Sequence, residues 1–144
     1  MKTQIKILAI VYRINNSKPE FLALRNNPKD PKHGGDFWYV VTGSIEGQET
    51  LEEGVKRELF EETGIKKIIK VTNTEGIFEY KNESETVLFK EHIFLVEVGE
   101  DVKKLNEENI EYEWLDANEF LKRIKWGYDF RIYVEKIITA HQNV

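Results

Sequence analysis

Runs of β-branched and aromatic residues, separated by polar turn residues, predict that strands make up most of this chain. These runs lie at residues 5–13, 20–25, 37–41, 68–72, 76–80, 86–98 and 111–115. Asn15, Asn16, Ser17 and Pro19 predict a turn that joins the first two strands into a hairpin. Residues 26–36, which include two prolines and two glycines, predict a long polar loop. The pattern therefore favours a sheet that begins with a hairpin.

The clearest helical segment covers residues 50–63. Thr50 and Glu53 stand three positions apart, as in a capping box, and acidic side chains suit the positive end of a helix dipole. Gly64 suits the position just after a helix, where left-handed backbone is common. Two further helices are predicted near the C-terminus, at residues 118–124 and 130–141. Together with the strands, these segments predict an α+β protein in which helices pack around a mixed sheet.

Length and composition limit the class of protein. The 144 residues suit one domain spanning 1–144, and 40% hydrophobic with 33% charged residues excludes a disordered or collagen-like chain. No apolar run approaches the roughly 20 residues of a transmembrane helix, so no membrane partner is expected. Arg13 follows the apolar N-terminal run, and no small-residue cleavage site appears, which favours a strand over a signal peptide. The absence of cysteine excludes disulfides and thiolate zinc sites, and we expect a cytoplasmic protein.

The acidic charge is concentrated in one segment. The chain has a net charge of −5, which argues against a nucleic-acid partner because such proteins usually present a basic surface. Residues 43–65 contain seven acidic and two basic side chains, whereas the rest of the chain balances 19 acids against 19 bases. The whole excess of negative charge therefore lies around the helix predicted at 50–63.

Two glutamates continue the apolar stripe of this helix. At about 100° per residue, Leu51 and Val55 lie on the same face as Glu58 and Glu62. Carboxylates on an inward face lose hydration, repel one another at helical spacing and are disfavoured near a helix C-terminus. Arg57 is the only strong base nearby, and it cannot neutralise several carboxylates. The pattern predicts that a cation binds to this face.

The residue types narrow the identity of that cation. Clustered carboxylate oxygens are typical ligands of Mg²⁺ or Mn²⁺ rather than Zn²⁺. A Glu-rich helix can also be a solvated acidic face, and the periodicity alone leaves both interpretations open. His33, His92 and His141 have no metal-ligand spacing and are not candidates. Ser44 lies outside a G-x-S-x-G frame, so a serine nucleophile is not expected.

The acidic segment resembles the signature of the Nudix hydrolase family. The matching positions are Gly43, Glu49, Arg57, Glu58, Leu59, Glu61, Glu62, Gly64 and Ile65. The resemblance implies a Nudix fold, an α/β/α sandwich with a mixed β-sheet flanked by helices. It also implies hydrolysis of a nucleoside diphosphate linked to another moiety, with Mg²⁺ or Mn²⁺ as cofactor. Because family members are often dimers, a homodimer is an open alternative to a monomer.

The resemblance also implies roles for individual residues. The metal-binding carboxylates of the family correspond to Glu58, Glu61 and Glu62. Arg57 corresponds to the arginine that orients them, and Glu49 to the structural partner of that arginine. Gly43, beside the carbonyl group of Thr42, borders the metal site in this comparison. The general base corresponds to Glu61 or to a glutamate from a later loop.

Two stretches are similar to the dihydroneopterin triphosphate and dATP pyrophosphohydrolase branch of the family. They are residues 108–117 and residues 37–44, the second of which leads into the signature. The likeness implies that Glu108 completes the catalytic metal site, with Glu107 and Glu91 as rival candidates. The substrate contacts that it implies are Lys2, Arg25 and Thr42.

The predicted reaction is cleavage of a nucleoside or pteridine triphosphate to a monophosphate and pyrophosphate. Trp126, before the last predicted helix, is the aromatic residue that we expect to stack on the base. The chain departs from the branch at residues 26–36 and 76–86, so the base remains open. One alternative is a dinucleoside polyphosphate hydrolase. Diadenosine tetraphosphate hydrolases carry a tyrosine some way past the signature, and Tyr80 would correspond to it. The others are a nucleotide-sugar hydrolase and a Nudix module that binds a nucleotide without cleaving it.

Overall fold

One mixed sheet organises the computed structural model, which describes residues 1–31 and 34–142. Seven strands of these residues form the sheet: β1 Lys2–Asn15, β2 Lys18–Asn26, β3 Trp38–Tyr39, β4 Val41–Ser44, β5 Ile68–Lys81, β6 Val87–Val98 and β7 Asn109–Leu115. Their order is β3-β2-β1-β6-β5, with β4 also paired to β1 and β7 to β2. β1 and β6 run parallel, and the other pairs are antiparallel. The mixed sheet predicted from the sequence is confirmed.

Helices cover both faces of this sheet. They are α1 Leu51–Thr63, α2 Ala117–Arg123 and α3 Arg131–Ala140, with a 3-10 turn at Gly127–Phe130 before the last. Successive side chains of β1 point to opposite faces, because a strand has a period of two. Ile7 therefore joins a core with Val55 of α1, whereas Leu8 joins a core with Phe120 and Val134 of α2 and α3. This arrangement is the expected α/β/α sandwich.

The hairpin between β1 and β2 is tighter than the sequence suggested. Asn16 and Ser17 have φ of 51° and 67°, which is the left-handed backbone that a two-residue hairpin turn requires. Pro19 was predicted in the turn but lies in β2, paired with Ile14. A proline is tolerated there because the position lies near the first residue of the strand.

A single strand, β5, replaces the two strands predicted at 68–72 and 76–80. The Asn73 side chain accepts a hydrogen bond from the backbone N–H of Glu75 at 2.9 Å. This bond supports a bulge in which Glu75 has a φ of 68°, and the register with β6 shifts between Asn73 and Ile77. The polar residues therefore mark an irregularity within one strand rather than a break between two.

Helix α1 begins and ends as predicted. The Thr50 hydroxyl accepts a hydrogen bond from the backbone N–H of Glu53 at 3.1 Å, and the Glu53 carboxylate accepts one from Thr50 at 2.8 Å. Gly64 follows the helix with a φ of 75° and donates its N–H to the Phe60 carbonyl at 2.8 Å. These caps fix both ends of the helix and hence the direction in which its glutamates point.

The remaining elements differ from the prediction mainly at their ends. The strand predicted at 37–41 is two short strands, since β3 pairs with β2 and β4 pairs with β1. The last helix begins at Arg131, after the 3-10 turn. No helix in the described part of the chain is long and apolar enough to cross a bilayer.

Candidate active site

Glu62 is a buried carboxylate with an incomplete set of partners. It lies on the inward face of α1 and is only 3% exposed. Asn109 donates from Nδ2 to its Oε1 at 3.2 Å, whereas its Oε2 meets no donor among the described residues. Burial raises the pKa of Glu62 well above its usual value, and the nearby charges of Glu108 and Glu58 add to the shift. A cation beside Oε2 would relieve this unfavourable state.

Glu58 lies one helical turn before Glu62 and packs against β4. A Cβ built on Gly43 would overlap the carboxyl group of Glu58, so only glycine leaves the space that this side chain fills. Arg57 donates from Nη1 to Oε1 of Glu58 at 2.9 Å. Burial raises the pKa of Glu58, although the positive charge of Arg57 opposes the shift. The structure thus places Gly43 directly against the carboxyl group of Glu58.

Arg57 connects the acidic helix to the segment before it. It donates from Nη2 to Glu49 at 2.7 Å and to the Ser44 carbonyl at 2.8 Å, and from Nε to Glu49 at 3.0 Å. Its Nη1 group contacts Glu58 and also donates to Glu61 at 3.2 Å. Glu49 makes the largest contribution to raising the pKa of Arg57, which stays charged. The predicted pairing of Arg57 with Glu49 is confirmed.

Glu61 and Glu108 approach this group from two directions. The Glu61 side chain is half exposed and reaches back one turn to Arg57. Glu108 directly precedes β7, lines the same cavity as Glu62, and contributes to the raised pKa of Glu62. The next residue, Asn109, is the hydrogen-bond donor to Glu62. The start of β7 therefore supplies both a charge and a hydrogen bond to the acidic face of α1.

The donor chemistry of these residues fits a divalent cation. The unpartnered Oε2 of Glu62 and the space that Gly43 leaves for Glu58 both point to a ligand beside α1. All the candidate ligands are hard oxygen atoms, which Mg²⁺ and Mn²⁺ prefer. With the side chains as they stand, no group of three or more His, Asp or Glu residues in 1–31 and 34–142 could hold an ion. Glu58 and Glu61 are bonded to Arg57 instead.

A cavity of about 420 Å³ opens beside Glu62 and Glu108. Aromatic rings make up much of its wall, namely Phe37, Tyr39, Phe78, Tyr80 and Trp126. The rings of Tyr39 and Trp126 meet edge to face, with 5.7 Å between centroids. The volume falls within the range of about 300 to 1,000 Å³ that is typical of small-molecule sites. An aromatic wall that ends at carboxylates suits a ligand with a flat ring system at one end and phosphates at the other.

Two of the four predicted substrate contacts line this cavity. They are Thr42 and Trp126. Lys2 is exposed at the start of β1 and is not part of the cavity wall. Arg25 also lies outside the wall, because its guanidinium donates to Asp36 at 2.7 Å and to Glu111 at 3.0 Å. The roles suggested for Lys2 and Arg25 therefore remain predictions that the cavity does not support.

The cavity wall also contains a charged pair, Lys6 and Glu91, that the sequence pattern did not predict. Lys6 of β1 is the register partner of Glu91 of β6, and Nζ lies 3.6 Å from Oε2. Glu91 was considered only as a rival of Glu108 at the metal site, yet its partners are Lys6 and Tyr80. The other rival, Glu107, lines a neighbouring groove. The signal that could have revealed this pair is a charged residue at an inward-facing position in each of two strands, Lys6 in β1 and Glu91 in β6.

The histidines take no part in this site within the described residues. His92 lies in β6, and His141 follows α3 with its Nε2 atom 4.0 Å from Glu97. Neither lines the aromatic cavity. His33 lies outside the described residues.

Comparisons with known proteins agree with this geometry. Residues 4–134 match the NUDIX domain. The chain is 25% identical over 138 residues to dihydroneopterin triphosphate diphosphatase of Haemophilus influenzae. The match covers 86% of this chain and 81% of that protein. A MutT protein structure from Methanosarcina mazei is 27% identical, with a TM-score of 0.72 and 94% of each chain covered. The dihydroneopterin triphosphate pyrophosphohydrolase of E. coli shares the fold, with a TM-score of 0.72 at 21% identity over 97% of this chain and 99% of that one. The chain therefore belongs to the Nudix family of hydrolases.

Proposed function

We propose that this protein is a metal-dependent pyrophosphohydrolase that cleaves a nucleoside or pteridine triphosphate to a monophosphate and pyrophosphate. The observation that carries the proposal is one cavity whose wall changes from aromatic rings to the carboxylates Glu62 and Glu108. Such a cavity accommodates a flat heterocycle and directs its phosphate chain to the acidic face of α1. The likeness to a dihydroneopterin triphosphate diphosphatase supports the same substrate class.

The carboxylates of α1 and of Glu108, the residue before β7, hold the metal in this proposal. The ligands are Glu58, Glu61, Glu62 and Glu108, and the ion is Mg²⁺ or Mn²⁺. When bound, such ions neutralise phosphate charge and lower the pKa of a coordinated water. Arg57 positions Glu58 and Glu61 through the hydrogen bonds described above. Glu61 or Glu108 accepts the proton of the attacking water, and Thr42 and Trp126 contact the substrate.

A dinucleoside polyphosphate is the second candidate substrate, because a second groove, whose wall includes four lysines, adjoins the cavity. This groove has a volume of about 1280 Å³ and shares Glu108 with the aromatic cavity. Its wall carries charges of both signs. The basic side chains are Lys29, Lys66, Lys103 and Lys104, and the acidic ones are Asp30, Glu61, Glu107 and Glu108. A second nucleotide unit would extend into this groove from the acidic face of α1.

The proposal predicts turnover that depends on a divalent ion. The full chain is incubated with nucleoside triphosphates, 7,8-dihydroneopterin triphosphate and diadenosine tetraphosphate, in Mg²⁺, in Mn²⁺ and in EDTA. We expect triphosphates to release pyrophosphate with either ion and not in EDTA. The nucleotide products, separated by chromatography, distinguish the two candidates, since diadenosine tetraphosphate yields two nucleotides without pyrophosphate.

Two variants of α1 make this experiment specific. Glu58→Gln should abolish most of the turnover, whereas Glu52→Gln should not. Glu52 is exposed and is bonded to Lys56 at 3.2 Å on the same helix, away from the cavity. If the protein binds these nucleotides but cleaves none of them, the proposal fails and a Nudix binding module is favoured.

The network around Arg57 leads to a separate prediction. Arg57→Lys should lower kcat/KM by about 10- to 100-fold, the usual range for residues that support metal ligands. A single ammonium group cannot bond to Glu49, Glu58 and the Ser44 carbonyl in the fixed geometry of a guanidinium. Initial rates of pyrophosphate release measure the effect, with Lys56→Gln on the exposed side of α1 as the control. An unchanged rate for Arg57→Lys would contradict the positioning role.

A further inference from the structure

Glu91 is a buried carboxylate at the aromatic end of the cavity, far along the chain from the signature. It is 3% exposed and belongs to β6, which pairs with β1 on one side and β5 on the other. Tyr80 donates its hydroxyl to Oε2 at 3.3 Å, and Nζ of Lys6 lies 3.6 Å from the same oxygen. Burial raises the pKa of Glu91, and Lys6 and Tyr80 oppose this shift. The positive charge of the adjacent ammonium group is the largest of the effects that oppose burial.

The pair is poorly satisfied for a purely structural ion pair. The distance of 3.6 Å between Nζ and Oε2 exceeds that of a normal charge-assisted hydrogen bond, which is about 2.7–2.9 Å. Both contacts of Glu91 use Oε2, and the hydrogen bond from Nζ of Lys6 to the Tyr80 hydroxyl is long, at 3.4 Å. Burying two charges is costly unless further hydrogen bonds satisfy them. Because both residues line the cavity, a ligand can supply those bonds.

The arrangement of charges defines the edge of the ligand that fits. Lys6 can only donate hydrogen bonds, and an ionised Glu91 can only accept them. A complementary edge presents a carbonyl oxygen next to two N–H donors. Guanine and pterins have this edge, formed by an oxo group, a ring N–H and an amino group. Adenine instead places an amino group toward Lys6 and a ring nitrogen lone pair toward Glu91, which opposes both charges.

We infer that Lys6 and Glu91 select a 2-amino-4-oxo heterocycle, guanine or a pterin, as the ring system of the substrate. The inference rests on the proposed function and specifies which triphosphates the site prefers. The oxo group accepts from Nζ of Lys6, and the carboxylate of Glu91 accepts from the ring N–H and the amino group. The aromatic residues of the wall contact the faces of the ring, which leaves its edge to the charged pair.

Guanosine and inosine triphosphates test the inference, because they differ only in the 2-amino group. For the wild-type protein we expect kcat/KM to be about 10- to 100-fold higher with GTP than with ATP, the usual range for a bidentate base contact. ITP should lie between them. In Glu91→Gln the amide offers one donor and one acceptor, so the advantage of GTP over ITP should disappear and ATP should improve relative to GTP.

Two controls separate this result from general damage. Glu97→Gln makes the same chemical change on the same strand, but Glu97 lies outside the cavity and beside His141, so the substrate ratios should stay as in the wild type. Melting temperatures show whether each variant is folded. The ratio of kcat/KM for two substrates, measured in one preparation, does not depend on the fraction of active protein. The comparison of GTP with ITP in the wild type also tests the inference without any variant.

Binding of monophosphates in EDTA provides a measurement that does not involve turnover. Trp126 lines the cavity, so quenching of tryptophan fluorescence should report GMP at lower concentrations than AMP in the wild type and at similar concentrations in Glu91→Gln. If the wild type prefers adenine, or if Glu91→Gln leaves the GTP to ITP ratio unchanged, the inference is wrong. If no triphosphate is cleaved but GMP still binds better than AMP, the proposed function fails and the inference about the ring stands.

Discussion

Glu62→Gln is expected to lower pyrophosphate release by more than about 100-fold, which is the upper range for residues that only support a metal ligand. The same change should raise the thermal stability of the metal-free protein. Both effects have one cause, since Oε2 of Glu62 is buried without a hydrogen-bond donor beside Glu58 and Glu108. The amide replaces the carboxylate at nearly constant volume, and its oxygen still accepts the hydrogen bond from Asn109. Repulsion in the empty site is thus relieved while a cation ligand is lost.

The stability difference should depend on pH in a defined direction. The pKa of Glu62 in the folded protein is well above its usual value of 4.5, so the folded state takes up a proton at a higher pH than the unfolded state does. The ionised group therefore destabilises the fold most at a pH above its raised pKa. As the pH falls toward 4.5, this penalty disappears. Glu62→Gln should exceed the wild type in stability at high pH, and the gap should close toward pH 4.5.

Urea unfolding in EDTA, repeated at several pH values, measures this gap. Added Mg²⁺ should then raise the stability of the wild type more than that of Glu62→Gln, because only an ion that binds the folded state stabilises it. Glu119→Gln is a suitable control, since Glu119 is exposed on α2 and lies outside the cavity. Full activity of Glu62→Gln, or a loss of stability in EDTA, would contradict the metal-ligand assignment.

The acidic face of α1 could be predicted because its determinants are local. The capping residues Thr50 and Glu53 and the terminator Gly64 fix the helix, and the helical period alone turns Glu62 inward. The pairing of Arg57 with Glu49 spans only eight residues and accompanies the same signature. These features need no knowledge of how distant strands pair.

The aromatic end of the cavity could not be predicted in the same way. Lys6 and Glu91 meet because β1 and β6 are parallel neighbours, a pairing between strands 85 positions apart that no short motif encodes. Arg25 was expected at the substrate, but β7 and the loop before β3 bring Glu111 and Asp36 to its guanidinium. In both cases tertiary pairing decides which charged groups meet.

Gly43→Ala is expected to be nearly inactive, although it adds only one methyl group. A Cβ at this position would occupy the space of the Glu58 carboxyl group, so either that side chain leaves the acidic face or β4 and α1 move apart. Gly43 is paired with the fully buried Ile7 of β1, and this pairing limits how far the backbone of β4 can shift. Displacing Glu58 removes a proposed metal ligand and the hydrogen bond that it accepts from Arg57.

Stability separates the two responses to the added methyl group. If Glu58 turns outward, Gly43→Ala should melt near the wild-type temperature yet require more Mg²⁺ for any residual activity. If β4 and α1 move apart, overpacking of this kind typically costs about 1–3 kcal/mol of stability. Gly99→Ala is the matched control, because a Cβ there meets only the flexible side chain of Lys67, at 3.0 Å, and neither residue lines the cavity. Wild-type activity of Gly43→Ala at limiting Mg²⁺ would show that Glu58 does not need this space. Glu58 would then no longer be a proposed metal ligand.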